Sequence, residues 1–283
     1  MTSTAKRSRR KRITLFRAVV ALVLAVFVGG FVVGWRFRVR EVDIPLGLSE
    51  PVRVAVMSDI HLGSRGSAEM TARAVAEAMR RRPDLVVLVG DFVAGDWGLP
   101  SIPSALKGLH APLGVYAVLG NHDHWADGEE VRAQLAAAGV RVLVNDNVIL
   151  RKGGMRLALV GIDDLWSGHV DWERAWRGVP RGLPAILLSH NPQAAAYPAG
   201  QRASLILSGH THGGKIRLPR WMLPLLRRYA HFTPIPHTTY GERHPYGLVR
   251  EKWGWVYITS GVATGYSPPR WYTRPELAVL ELR

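Results

Sequence analysis

An α/β body with a mixed sheet, preceded by one apolar membrane-crossing helix, is the fold class the sequence predicts. Three observations predict it. After Pro51, short runs of Val, Ile and Leu recur, each ending in a polar cluster. Stretches with helical spacing separate some of them. Ahead of them, residues 18–35 read AVVALVLAVFVGGFVVGW without a charge.

At 1.5 Å per residue that apolar run makes about 27 Å of helix, close to the roughly 30 Å hydrocarbon core of a bilayer. Lys6, Arg7, Arg9, Arg10, Lys11, Arg12 and Arg17 precede it, while Arg36, Arg38 and Arg40 follow. The excess before the run places the N-terminus in the cytoplasm and the body outside, with Trp35 and Phe37 at the far headgroup level. The expected organisation is a basic cytoplasmic tail at 1–17, a transmembrane helix at 18–35, a linker at 36–50 and one domain at 51–283. This makes a single-pass protein of the cell (inner) membrane. A cleaved signal peptide competes. Ser8-Arg9-Arg10 partly resembles a twin-arginine signal, but Arg12 stands where an apolar residue is wanted. Gly34-Trp35-Arg36 is also a poor cleavage site.

In the body, runs at 52–57, 85–89, 115–119, 157–160, 186–188 and 205–207 have strand length and are apolar on both faces, as strands buried from both sides are. Ala68, Ala72, Val75, Ala76 and Met79 recur at helical spacing, so 67–82 is expected as a helix, capped by Ser67 and closed by Pro83. Further helices are expected at 129–138 and 172–177. The runs at 256–259 and 277–282 suggest an antiparallel finish.

With 47% apolar residues in 283, the chain can bury a substantial core. It has no cysteine, which excludes a disulfide framework, a thiolate nucleophile and a Cys-ligated zinc. The net charge of +15 resembles a nucleic-acid signal. Residues 1–40, however, carry ten of the 37 Lys and Arg and none of the 22 acids, leaving 27 against 22 elsewhere. The charge belongs to membrane topology, and nucleic acid is not the expected partner.

The polar clusters follow the apolar runs, where open α/β sheets gather their ligands. They are Asp59-Ile60-His61, Gly90-Asp91, Gly120-Asn121-His122-Asp123, Ser189-His190 and Gly209-His210-Thr211-His212-Gly213. Asp59 and His61 lie two apart, so an extended segment points both to one side, and His210 and His212 repeat the spacing. With Asp91, Asn121 and His190 there are seven N or O donors and no sulfur, enough for two ions. Such a mixture suits Mn, Fe, Zn or Co better than Mg or Ca. One such residue alone is more often structural; five clusters in succession are hard to explain as turns.

The order D-x-H, G-D, G-N-H-D, H and G-H-T-H resembles the calcineurin-like metallophosphoesterases, and all five blocks are present between Asp59 and His212. The resemblance implies a four-layered α/β/β/α sandwich. It implies a first divalent metal on Asp59, His61, Asp91 and His212, and a second on Asp91, Asn121, His190 and His210, with Asp91 bridging. The anchor, the S-D-I-H-L-G and G-H-T-H-G-G-K-I strings and the stretch 270–276 resemble a small membrane-associated bacterial branch. That branch includes phosphodiesterases and a UDP-2,3-diacylglucosamine pyrophosphatase of lipid A synthesis.

The implied activity is hydrolysis of a phosphodiester or pyrophosphate, of a lipid or other envelope substrate, by metal-activated hydroxide. His122 would give a proton to the leaving group or stabilise its charge, and Asp123 would orient His122 by accepting its second ring proton. His124 has no matching role, and Asp163 and Asp164 read as turn residues that could also support the site. Segment 216–250 mixes Trp221, Met222 and Leu223 with Arg217, Arg220, Arg227 and Arg228. It reads equally as an amphipathic lid gripping an anionic headgroup through Trp221, Arg227 and Arg228, or as an insertion covering a sheet edge. The specific lipid A pyrophosphatase is the narrower reading, and a silent metal-stabilised scaffold is the reading from another class. No sign of oligomeric state is legible.

Overall fold

A computed structural model describes residues 3–214, 238–263 and 270–283. Helix α1 spans Ser3–Gly34. It starts before the apolar run because Lys and Arg are good helix formers and nothing in the basic stretch breaks the backbone. Its part Arg12–Gly34, 23 residues, is long and apolar enough to cross a membrane.

The segment 36–50 is not the expected linker. It carries strand β1, Arg38–Ile44, which pairs in parallel with β12, Glu276–Leu282. Val39 packs on the helix-covered side of the sheet, while Val42 and Ile44 join the core on the other side. Arg38, Arg40, Glu41 and Asp43 hide this alternation, as charged residues on an edge strand do.

The first sheet has the order β1-β12-β2-β3-β4-β5, with β2 at Val52–Met57, β3 at Leu85–Val89, β4 at Val115–Val118 and β5 at Arg141–Val142. The second has the order β10-β11-β9-β8-β7-β6. Its strands are β6 at Asp146–Lys152, β7 at Met155–Gly161, β8 at Ala185–Leu188, β9 at Leu205–Ser208, β10 at Gly247–Arg250 and β11 at Trp255–Ile258. The antiparallel finish holds in part. β12 runs antiparallel to β2, whereas β11 runs parallel to β9 and antiparallel only to β10.

Period-two alternation sorts the side chains into layers. Val54, Val56, Leu85, Val87 and Val89 meet Leu157, Leu159, Ile186, Leu188, Leu205 and Leu207 between the sheets. Ala55, Met57, Val86 and Leu88 face the helices on the outside of the first sheet. Ala158, Val160, Leu187 and Ile206 face the helical turns around Ala175, Trp176 and Ala194 outside the second. The result is the four-layered α/β/β/α sandwich. Both faces of β3 are covered, which is why its sequence LVVLV is apolar throughout.

Helix α2 is Ser67–Arg80. Its N-cap is Gly66, and Ser67 Oγ instead donates to Ser64 O at 2.6 Å. Helix α3, Asn121–Ala126, and helix α4, Gly128–Ala137, follow β4, and Asp127 caps α4 by accepting from the amides of Glu129 and Glu130. The expected helix 172–177 is one turn, Trp172–Ala175.

One buried carboxylate fastens β1 and β12 to the second sheet. Glu276, fully buried, accepts from Arg38 Nε at 3.0 Å, Tyr246 Oη at 2.6 Å, Tyr257 Oη at 2.8 Å and Thr259 Oγ1 at 3.3 Å. Removing one partner of a buried charged network costs about 3 kcal/mol. Glu276→Ala should therefore melt roughly 6–12 °C below the parent in a thermal denaturation scan.

Candidate metal centre

The ligand residues sit where strands stop and the backbone turns sharply. Beyond β2 and β3 the chains remain zipped, with Asp59 N donating to Gly90 O and His61 N to Asp91 O, both at 3.0 Å. Ala263 N donates to Asp59 O at 2.9 Å and so ties in the end of β11. Asp59, His61, Asp91, His210 and His212 all have positive φ, between 46° and 67°. They are five of the eight non-glycine residues in that state among those described. Each such residue stores about 1–2 kcal/mol of backbone strain, which a packed surrounding must hold.

Two glycines let the loops approach. A Cβ on Gly120 would lie 2.3 Å from Asp91 Oδ1, and one on Gly209 would lie 1.8 Å from Ser58 Oγ and 2.5 Å from Asp59 Oδ2.

Asp59, His61, Asp91 and His212 are all buried, and their ligand atoms lie within 4.8 Å of one another. His61 Nε2 is 3.2 Å from His212 Nε2 and 3.5 Å from Asp91 Oδ2, and His212 Nε2 is 3.4 Å from Asp59 Oδ1. On the other side of Asp91, His190 Nε2 stands 3.2 Å from the same Oδ2. His210 Nδ1 lies 3.3 Å from His190 Nε2 and 3.1 Å from Asn121 Oδ1. All seven expected ligands therefore converge, in two groups that share Asp91. His190 Nδ1 lies 2.8 Å from Val89 O, a bond that makes Nδ1 the donor and would leave Nε2 as the ligand atom once a metal displaces its proton.

The charges of the cluster are strongly coupled. Burial pushes the Asp59 carboxyl up to about 6, and the neighbouring Asp91 charge adds to it. Burial also opposes ionisation of Asp91, yet the charge and hydrogen bond of His190 outweigh it and hold Asp91 well below the usual carboxylate range. His190 is raised in turn, with burial opposing and Asp91 prevailing. Imidazole nitrogens turned toward each other beside two buried carboxylates are poor partners for one another and good ligands for a divalent cation. The donor set fits the N/O-ligated metals expected from the sequence.

Asp123 has a role that the sequence did not announce. Its fully buried carboxylate accepts four backbone N–H groups: Asp91 at 2.9 Å, Phe92 at 2.7 Å, Val93 at 3.3 Å and Gly120 at 2.8 Å. Both oxygens thereby clamp the turns after β3 and β4, which makes Asp123 a positioning residue for Asp91. His122 is half-buried at the rim. Its amide donates to Asp91 Oδ1 at 2.9 Å, and its ring stands edge-on to His61 with centroids 4.7 Å apart.

Three features escaped sequence reasoning. Trp125, 62% exposed, packs on His122 at 4.7 Å, and Trp166, 42% exposed, stands edge-on to His210 at 4.4 Å. Buried Arg270 donates to Ala263 O, His212 O and Gly261 O at 2.5, 3.3 and 3.2 Å, bracing the loop that carries His212. His124 pairs through Nε2 with Asp163 Oδ1 at 2.8 Å. Asp163 and Asp164 lie just ahead of the turn at 165–167. Asp164 Oδ2 accepts from the amides of Trp166 and Ser167, both at 2.8 Å, which shapes the loop that presents Trp166. Of the expected substrate contacts, Trp221, Arg227 and Arg228 lie outside the described residues, as does most of segment 216–250.

The hydrogen bond to Asp163 raises the His124 pKa above its usual 6.5, burial opposing. Its contribution is therefore complete below about pH 6.5 and fades as pH rises through the elevated folded value. In chelator-treated protein, His124→Gln should melt about 3 °C below the parent at about pH 5.5, equivalent to roughly 1 kcal/mol, and the gap should close as pH rises through the elevated His124 value.

A model of the calcineurin-like phosphoesterase family matches residues 52–214. Phosphodiesterase YaeI of Escherichia coli (strain K12) is 30% identical over 246 residues, covering 82% of this chain and 82% of that protein. Metallophosphoesterase YkuE of Bacillus subtilis (strain 168) is 29% identical, covering 85% of this chain and 82% of that protein. A transmembrane protein with a metallophosphoesterase domain from Danio rerio is 35% identical over 223 residues, 72% of this chain and 51% of that protein. Together with the converging aspartates and histidines, these matches show that the chain belongs to the calcineurin-like phosphoesterase family and is a metal-dependent phosphoester hydrolase.

Proposed function

We propose that this protein is a membrane-anchored phosphodiesterase with a dinuclear centre, acting on a phosphodiester or pyrophosphate of a lipid or other envelope molecule. The observation that carries the reading is the pair of ligand groups meeting at Asp91 Oδ2, 3.5 Å from His61 Nε2 and 3.2 Å from His190 Nε2. Asp59, His61, Asp91 and His212 would hold one divalent ion, and Asp91, Asn121, His190 and His210 the other. Mn, Zn, Fe or Co suits the donors. When bound, the ions supply Lewis acidity and a nucleophile drawn from water.

The remaining work falls to side chains on the rim. His122 stands beside the ligand cluster without being needed in either ligand group, and it is the ring placed to give a proton to a departing alkoxide. Trp125 and Trp166 offer apolar faces to whatever substituent the phosphate carries. An apolar helix supports the anchor, and the basic excess ahead of it supports a catalytic domain outside the cytoplasm. A relative named as a phosphodiesterase supports the diester over the monoester.

The test is hydrolysis by the purified protein after chelation and add-back of Mn or Zn. Bis-p-nitrophenyl phosphate, p-nitrophenyl phosphate and UDP-2,3-diacylglucosamine form the panel. Metal-dependent turnover of the diester above the monoester is expected, and Asp91→Ala should abolish it together with tight metal retention. A preference for the nucleotide lipid would select the narrower pyrophosphatase. His122→Ala should keep its metal by elemental analysis while kcat falls about 10²-fold or more. Undiminished kcat would remove His122 from the mechanism.

A further inference from the structure

Helix α1 does not end in a free tether. Its last turns are docked on segment 270–274 by bonds to the helix backbone. Trp271 Nε1 donates to Phe27 O at 2.9 Å, Tyr272 Oη to Val26 O at 3.1 Å, and Tyr272 N to Gly30 O at 3.0 Å. The helix is notched to receive them. A Cβ on Gly30 would lie 1.9 Å from Trp271 Nε1, and one on Gly34 would lie 2.4 Å from Arg270 O. Beyond this contact, Val19, Val20, Leu22, Val23 and Leu24 are all exposed on the helix.

The depth of the contact follows from charge. Arg17 limits how far the hydrocarbon can extend toward the N-terminus, because a guanidinium at the centre of a bilayer costs several kcal/mol. The uncharged run from Ala18 must then be used nearly whole to fill a core of roughly 30 Å. Phe27 lies seven residues before Gly34, or about 10 Å along the helix. The side chains hydrogen-bonded to Val26 and Phe27 therefore lie inside the boundary that the helix itself defines.

The chemistry of the segment suits that depth. Trp271 and Tyr272 are the residue types enriched at the edge of a membrane. Nearer the aqueous side, Arg274 Nε donates to Arg36 O at 2.9 Å, which puts two guanidinium groups at the level of lipid phosphates. The same segment reaches the metal centre from its other side. Arg270 braces His212 O, and a Cβ on Gly213 would lie 2.8 Å from Thr273 Cγ2.

The geometry points to segment 270–274 as a second membrane-contacting element, seated with α1 in the headgroup and outer acyl layer of the bilayer, that holds the His212 loop at the lipid surface. The inference rests on the anchor reading above and adds an occupant, bilayer lipid, for a surface outside the helix.

The full-length protein is suited to a depth measurement because it has no cysteine. Nitroxide-labelled Tyr272→Cys, Val23→Cys and Gln201→Cys variants would be reconstituted in vesicles of phosphatidylethanolamine and phosphatidylglycerol. Collision with oxygen, which concentrates in acyl chains, is compared with collision with a water-soluble nickel chelate. The expected result is a label at 272 that favours oxygen as the label at 23 does, while the label at 201 favours nickel. A label at 272 that behaves like 201 while 23 stays in lipid overturns the inference and leaves the anchor standing. Labels at 23 and 272 both in water overturn the inference and the anchor together. Because Tyr272→Cys could perturb folding, the unmodified protein is also treated with phospholipid carrying a photoactivatable diazirine in its acyl chain. Cross-links on Tyr272 are expected beside those on α1, and cross-links confined to α1 count against the inference.

Discussion

One buried carboxylate fixes the centre of the molecule. Asp123 reaches across from the start of α3 and gathers four backbone amides, three from the turn after β3 and one from the turn after β4. A carboxylate removed from water must be met by donors, and here the donors are the amides of the residues that carry and flank Asp91. The position of Asp91 is therefore a consequence of backbone hydrogen bonding. Asp91 in turn lies between the two halves of the ligand set, so the register of the whole centre depends on this clamp.

The clamp also explains how strain is tolerated. Five ligand residues hold positive φ, a conformation each would leave in a flexible loop. They remain because the turns are tied to one another: β2 to β3 through Asp59 N and His61 N, and β11 to β2 through Ala263 N. The glycines at 120 and 209 complete the arrangement by their lack of a side chain, which lets Asp91 Oδ1 and Ser58 Oγ occupy the space. A site made this way is preformed, with its desolvation and backbone costs met during folding rather than on metal binding.

Sequence patterns revealed some parts of the structure and hid others for a physical reason. The strands buried on both faces announce themselves as apolar runs, so β2, β3, β4, β7, β8 and β9 were legible, and so were the seven polar side chains that follow them and converge. Strand β1 was not, because an edge strand needs few apolar residues and its partner β12 comes from the opposite end of the chain. The clamp by Asp123 was hidden for a related reason, because three of its backbone partners lie 30 to 32 residues earlier. Trp125, Trp166 and the His124–Asp163 pair carry no periodicity and become meaningful only once the two sheets bring α3 against the loop after β7.

The same long-range logic ties the helix to the centre. Arg270 is fully withdrawn from water, and burial lowers its pKa to about 10 while the Asp59 charge pulls the other way. It still remains charged near neutral pH. Such a cation is tolerable because three carbonyls accept from it, one of them belonging to His212. Adjacent to it in sequence, Trp271 and Tyr272 grip the helix backbone. A displacement of the helix against the body must then pass through a two-residue step to the carbonyl of His212, a candidate metal ligand, or break buried bonds on the way. Stiff coupling over so short a path makes the helix part of the scaffold of the candidate site, and the orientation of the domain on the helix is set by the residues that brace that site.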